Sequence, residues 1–182
     1  MKITNALILS ICISLLAAIA GCPQQKSGPY RISGDVSKVE FEDLNPYKVS
    51  PSLVIEPDKS DKYPWSGGKG LILSSPKNNE YVMYQIFVDD DTPRNIKFYG
   101  FKNSDYGRYR IAINDRPTGK LIEFNGYKGS VVDGFDFGTF APKNGVIKVI
   151  FALVGSKIKY KGANFGAAFD YMVLTKVPSE QQ

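Results

Sequence analysis

The feature that most restricts how this chain can fold is a series of short segments in which apolar and polar residues alternate. Tyr109, Ile111 and Ile113 would lie together on one face of a strand, with polar residues between them on the other. Similar segments recur from Val36 onward at roughly the 8–12-residue spacing of antiparallel sandwiches. Turn sequences such as Lys143–Gly145 separate them. The pattern predicts an all-β sandwich, without a long helix after the amino-terminal segment.

The other predicted strands are short and rich in β-branched and aromatic residues. In the segment that starts at Ile147, Ile150 and Val154 fall on the face opposite the main apolar set, so we expect that strand to be covered on both sides. Further strands are predicted at Lys38–Asp43, Leu53–Glu56, Gly70–Ser74, Tyr81–Val88, Ile96–Phe98, Leu121–Phe124, Phe135–Phe140 and Phe169–Lys176.

The amino terminus has the composition of an export signal. Lys2 precedes an apolar run from Ala6 to Ala20 that is too short to span a bilayer comfortably. The run ends in Ile19-Ala20-Gly21-Cys22, which resembles the bacterial lipobox, where cleavage precedes a cysteine that becomes thioether-linked to diacylglycerol. The alternative is an ordinary secretory signal with an incidental cysteine.

The lipobox interpretation implies lipidation at Cys22, with fatty acyl chains such as palmitate, and membrane anchoring without a spanning helix. Cys12 would be removed with residues 1–21, so no intramolecular disulfide is expected. Pro23 follows the cysteine, which favours the outer membrane if the host is Gram-negative. We assign residues 22–35 to the lipidated cysteine and a flexible tether, 36–177 to one sandwich domain and 178–182 to a tail.

Composition excludes several classes of function. The chain has no histidine, which rules out Ser-His-Asp and Cys-His catalysis and histidine-ligated metals. Its formal charge is +5, but nucleic acid is not an expected partner of an exported lipoprotein. A hydrolase with two carboxylates, such as Glu40 with Asp170 or Asp105 with Asp133, is the enzymatic alternative. We expect no catalysis, because the chain has no room for a separate catalytic domain.

Five local patterns occur in an order that resembles a known family. They are Val39–Leu44, Trp65–Leu71, Ser104–Gly107, Phe137–Phe140 and Phe169–Leu174. Together they are similar to the galactose-binding-like jelly-roll domains, especially carbohydrate-binding modules of the family 6 and family 35 type. The resemblance implies a jelly-roll sandwich and non-catalytic carbohydrate binding. It says less about which ligand is bound.

Three acids are candidate metal ligands. Glu40 and Glu42 are two residues apart, so on a strand they would share a face, and Asp170 lies near the start of the last strand. In the resembled modules, acids of the first and last strands bind a structural Ca²⁺, which implies these three residues as ligands, with main-chain oxygens from Trp65–Gly68. Alternatively, the glutamates are solvated edge charges and Asp170 is paired with a lysine or arginine.

Candidate sugar-binding residues combine aromatic rings with polar side chains in predicted loops. Trp65, Tyr106 and Tyr127 are the candidate rings. The alternative is that Trp65 closes the core and that Tyr106 packs inward from a turn. The candidate polar partners are Asn103, Asp105, Arg108 and Asn164.

Lys157, Lys159 and Lys161 would form one basic face on a strand, which is either simply solvated or attractive to acidic glycans and anionic headgroups. The sequence therefore predicts a membrane-anchored carbohydrate-binding lipoprotein of the cell envelope. The alternative is a structural or assembly lipoprotein that uses the sandwich for contacts with envelope proteins.

Overall fold

The computed structural model describes residues 29–155 and 165–178. In these ranges, the segments with alternating apolar and polar residues form strands. Within these ranges, no helix is long and apolar enough to cross a membrane. The described residues form twelve strands and one 3-10 turn, Phe41–Asp43. The strands are β1 Tyr30–Ile32, β2 Val36–Glu40, β3 Pro46–Val49, β4 Val54–Asp58, β5 Gly70–Ser74, β6 Tyr81–Val88, β7 Arg94–Phe101, β8 Arg108–Ile113, β9 Arg116–Glu123, β10 Val131–Phe140, β11 Val146–Gly155 and β12 Ala167–Lys176.

The strands form two sheets that pack face to face. Sheet A has the order β1-β6-β11-β8-β9, with β3 also paired to β6. Sheet B has the order β10-β7-β12-β5-β4, with β2 also paired to β12. Apart from the parallel pair β1–β6, the strands pair antiparallel. The predicted all-β jelly-roll sandwich is confirmed.

An aromatic cluster from both sheets fills the core. Phe41, Phe98, Phe151 and Phe169 are fully buried, and the ring centroid of Phe169 lies 4.5–5.1 Å from the other three. In β11 the inward residues are fully buried, whereas the outward residues are half-buried, so the strand is only partly covered on its outer face. The buried rings account for the high aromatic content, since each removes a large apolar surface from water.

Several details differ from the sequence interpretation, and β9 and β10 begin four to five residues earlier than predicted. Strand β1 lies within the span assigned to the tether and pairs with β6, and β3 was not predicted at all. The first long strand ends at Glu40 rather than Asp43, because Phe41 turns into the core and starts the 3-10 turn. Consequently Glu40 and Glu42 do not share the face of one strand.

The sandwich has two distinct ends. At the amino-terminal end, the fully buried guanidinium of Arg94 donates hydrogen bonds to the Gly34 carbonyl (3.0 Å) and to Asp90 (3.2 Å). Lys176 forms ion pairs there with Asp90 (3.1 Å) and Asp35 (3.3 Å). At the loop end, the connections β4–β5 and β9–β10 both contact the connection β7–β8, at Asn103 and Tyr106.

Candidate functional site

A pocket of about 240 Å³ opens at the loop end of sheet B. The β4 strand and the β4–β5 loop form one side of this pocket, and the β7–β8 loop forms the other. The apolar surface of Ile72 and Pro57 is surrounded by polar groups, an arrangement typical of small-ligand sites. The lining residues are Glu56, Pro57, Asp58, Lys62, Tyr63, Ile72, Asn103 and Tyr106.

A hydrogen-bonded group holds the pocket wall together. The hydroxyls of Tyr63 and Tyr106 lie 2.9 Å apart, and the Asn103 side-chain amide donates to the Tyr63 hydroxyl at 3.3 Å. Burial raises the pKa of Tyr63, and the negative charges of Asp105 and Asp58 raise it further. The Tyr106 ring packs closely over Gly166, where a Cβ atom would come within 2.5 Å of it. The wall is therefore preorganised, and nearby carboxylates act on its Tyr63 hydroxyl.

Tyr127 stands on a loop that is bonded to this wall. Its side chain is 91% exposed. The Gly126 amide donates to the Asn103 carbonyl at 3.1 Å, and the Gly129 amide donates to the Lys102 carbonyl at 3.0 Å. Tyr127 does not line the pocket itself, but its loop is held by main-chain hydrogen bonds against Asn103, which does.

Trp65 and Tyr106 are buried instead. Trp65 is 8% exposed, and its ring packs against Tyr63 (5.0 Å) and Phe101 (5.1 Å), beneath the pocket rather than in it. Tyr106 is 7% exposed and presents mainly its hydroxyl to the pocket wall. These positions favour the alternative interpretation, in which Trp65 closes the core and Tyr106 packs inward.

The other predicted sugar-binding residues have different outcomes. Asp105 is exposed next to the wall and acts on Tyr63 through its charge. Arg108 begins β8 in sheet A, opposite Glu123. Asn164 and the lysine set 157, 159 and 161 lie outside the described residues, as does Cys22.

Sequence reasoning missed Glu56, Asp58, Lys62 and Tyr63. A usable signal existed, because Glu56 and Asp58 are two apart on a strand and so project to the same side. Tyr63 lies two residues before Trp65 in the same loop. The tertiary fold was needed to show that these groups face Asn103.

The predicted carboxylates converge a short distance away, at the turn that contains Ser66. The Ser66 hydroxyl lies 2.9 Å from Asp170 Oδ1 and 2.9 Å from Glu40 Oε2, and its amide donates to Asp170 at 3.1 Å. A Cβ atom on Gly67 would lie 3.3 Å from Glu42 Oε1 and 3.9 Å from Glu40 Oε1. A bulge between Phe169 and Tyr171 turns Asp170 toward this point. We call this group the carboxylate cluster.

The carboxylate cluster has fewer positive charges and fewer hydrogen-bond donors than its carboxylate oxygens require. The Glu42 side chain is 3% exposed, and its Oε2 has no hydrogen-bond partner in the described part of the chain. Burial raises the pKa of Glu42, assisted by the charge of Glu40, and burial likewise raises the pKa of Asp170. A hydroxyl has one proton, so Ser66 cannot donate to Glu40 and Asp170 at once.

Two lysines partly compensate this charge. Lys38 Nζ lies 2.6 Å from Glu40 Oε1, and Lys69 Nζ lies 3.9 Å from Glu42 Oε1. Over residues 29–155 and 165–178, no three His, Cys, Asp or Glu side chains are already arranged so that they could hold a metal ion. A cation at the cluster would therefore require its carboxylates to draw together.

Comparison with solved structures identifies the fold. Xanthan lyase from Paenibacillus matches with a TM-score of 0.63 and 19% identity over 77% of this chain. The Podospora anserina GH26-CBM35 β-(1,4)-mannanase matches with a TM-score of 0.53 and 10% identity over 81% of this chain. The domain has the jelly-roll sandwich fold of these proteins. This jelly roll spans only 13% of the lyase and 29% of the mannanase.

A family 35 carbohydrate-binding module from Clostridium thermocellum matches the jelly roll with a TM-score of 0.49 and 11% identity, over 78% of this chain and 99% of that one. No protein-family model matches the sequence, and no curated protein is similar enough to count as a match. At these identities the comparisons establish the fold of the jelly roll.

Proposed function

We propose that this protein is a non-catalytic carbohydrate-binding lipoprotein of the bacterial cell envelope. The observation that carries the proposal is the loop-end pocket, in which an apolar floor, two tyrosine hydroxyls and an asparagine amide adjoin a loop with a fully exposed tyrosine. An apolar surface can receive the C–H face of a sugar, while the polar groups bond its hydroxyls. The mannanase that shares the fold is named for a family 35 carbohydrate-binding module, which supports the same interpretation.

Replacing the exposed ring tests this site. We expect Tyr127→Ala to weaken binding to the best ligand on a glycan array by about tenfold, because the variant loses one aromatic stacking contact. Because Tyr127 is 91% exposed, the thermal midpoint should stay unchanged. Asn103→Ala should weaken binding by removing the amide that supports the pocket wall.

Tyr47→Ala is the matched control, since Tyr47 is a 54% exposed tyrosine on β3 of sheet A. It should bind as the wild type does. Equal binding by the wild type and by both pocket variants would show that the site is misplaced. Turnover of a reporter glycoside that is lost with Asp105→Asn would instead establish an enzyme.

We further propose that the carboxylate cluster binds a structural Ca²⁺. Glu42 Oε2 is buried without a hydrogen-bond partner in the described part of the chain, and one Ser66 hydroxyl lies near two carboxylates, so oxygen atoms remain available for a cation. Ca²⁺ takes six to eight oxygen ligands. Glu40, Glu42 and Asp170 would hold it, with the Trp65–Gly68 turn supplying further oxygens. A divalent cation would offset the cost of burying several like charges.

Calcium should therefore raise the thermal midpoint of the purified protein. At about 100-fold excess over the dissociation constant we expect a rise of about 5 °C or more compared with chelator. Glu42→Gln should abolish most of the rise, because it removes a buried ligand charge.

The matched control is Glu56→Gln, which lies in the pocket and should keep the full calcium response. No shift in the wild type, or an equal shift in Glu42→Gln, would contradict a calcium site at the cluster.

Anchoring through Cys22 is the remaining part of the proposal. Its support is the complete lipobox Ile19–Cys22 after a short apolar run. Through the lipid, the jelly roll would be held at a membrane surface, with glycans and envelope proteins within its reach.

A further inference from the structure

The loop-end pocket has a charge opposite to that of the whole chain. The sequence carries a formal charge of +5, which by itself would favour acidic glycans. The pocket, however, is lined by the carboxylates Glu56 and Asp58 and by one cation, Lys62. Asp105, on the next loop, adds a third negative charge that acts on Tyr63. Local charge decides which ligand is tolerated, because charges beyond about 10 Å are screened at moderate salt.

The two lining carboxylates project to the same side of β4. Glu56 is paired with Ile72, and Asp58 with Gly70, so both lie on the outer surface of sheet B above the apolar floor. Asp58 already accepts hydrogen bonds from the Ser60 amide (3.2 Å) and hydroxyl (2.8 Å), which fix its position. Glu56 is exposed. The pocket thus presents a fixed carboxylate and an accessible one on the same side.

This lining disfavours a uronic acid and favours a cationic group on the sugar. A ligand carboxylate would add another negative charge beside the two lining carboxylates, Glu56 and Asp58, which outnumber the one lining lysine. A protonated amine offers up to three donors, and its hydrogen bonds to carboxylates are charge-assisted.

We propose that the pocket selects glycans that carry a free, protonated amino group, such as glucosamine units, with Glu56 as the residue that determines this specificity. This inference rests on the proposed carbohydrate-binding function and deepens it. Ile72 would contact the sugar ring, Asn103 and the tyrosine hydroxyls would bond its hydroxyl groups, and Glu56 would bond its ammonium group.

The main comparison is between two ligands that differ only at the nitrogen, with a uronic acid tetramer as the negatively charged ligand. Binding of a glucosamine tetramer, an N-acetylglucosamine tetramer and a galacturonic acid tetramer is measured calorimetrically at pH 6 and moderate salt. We expect the glucosamine tetramer to bind at least about tenfold more tightly than the acetylated one, because it gains one charge-assisted hydrogen bond. The uronic tetramer should bind most weakly. Glu56→Gln should reduce the tenfold preference to about threefold or less.

Asp91→Asn is the matched control, because Asp91 is an exposed acid in the β6–β7 loop and its replacement makes the same change in net charge. It should keep the preference. Equal affinity for the first two tetramers, tighter binding of the uronic tetramer, or a preference that persists in Glu56→Gln would overturn the inference while leaving carbohydrate binding intact. If Asn103→Ala and Tyr127→Ala bind every ligand as the wild type does, the site is misplaced and the inference fails with it. If no glycan binds, both the inference and the proposed function fail.

Discussion

Phe169→Ala should destabilise the protein by about 4 kcal/mol, because it opens a large cavity at the centre of the core. Phe169 is fully buried on β12 and contacts Phe41, Phe98 and Phe151 at centroid distances of 4.5–5.1 Å. These rings come from both sheets and from the 3-10 turn, so no single element can move to fill the space. Urea unfolding should show a much lower midpoint with an unchanged slope.

The matched control for the core is Tyr127→Ala, which also removes an aromatic ring but from a 91% exposed position. Its free energy of unfolding should change by less than about 0.5 kcal/mol. Comparable losses in the two variants would mean that the aromatic cluster does not hold the sheets together as the geometry indicates.

Gly100→Ala should cost about 3 kcal/mol, at the upper end of the usual range for overpacking. A Cβ atom at this position would lie 2.3 Å from the Ala168 carbonyl oxygen and within 3.0 Å of the Phe98 ring. Gly100 pairs with Phe169 between β7 and β12, which are inner strands of sheet B. A backbone oxygen cannot rotate away, so the strands must separate. The same urea titration measures the loss.

Gly119→Ala separates steric from conformational cost. Gly119 has a φ of +74°, but nothing lies within 4 Å of its Cβ position. We expect a loss of about 1 kcal/mol from the left-handed backbone alone. A loss in Gly100→Ala no larger than this would show that sheet B accommodates the methyl group.

Most of the fold could be predicted from the sequence because its inner strands alternate strictly. In β6 and β8 every second residue is buried, as the apolar pattern indicates. Strand β3 escaped prediction because it is a four-residue edge strand whose residues are all exposed, so no buried face shapes its composition. Strand β1 has three residues and was hidden next to polar, Pro- and Gly-rich sequence.

The carboxylate cluster was found for a partly mistaken reason. The sequence suggested that Glu40 and Glu42 share a strand face, whereas a 3-10 turn at Phe41 and a bulge beside Asp170 bring the acids to Ser66. Turns and bulges depend on how Phe41 packs in the core, which no local pattern reports. The family resemblance named the three acids that lie near Ser66 and Gly67, but it did not supply this geometry.

The proposed sugar site was only partly predictable, because an aromatic residue in a loop is equally compatible with burial and exposure. Trp65 and Tyr127 have similar polar and Gly-rich surroundings, yet one is 8% and the other 91% exposed. Tertiary packing against Phe101 decides the difference. Acids such as Glu56 gain their importance only when the β7–β8 loop is placed opposite them.

The distance between the two ends of the sandwich bears on how an anchored protein would work. Strand β7 starts at Arg94, which is hydrogen-bonded to Gly34 near the start of the described chain, and finishes just before Asn103 in the pocket wall. Its eight residues span about 26 Å at ~3.3 Å each. If a lipid anchor held the amino-terminal end of the sandwich at a bilayer, the loop end would face away from the membrane. A polysaccharide chain could then reach the loop end without a clash with lipid.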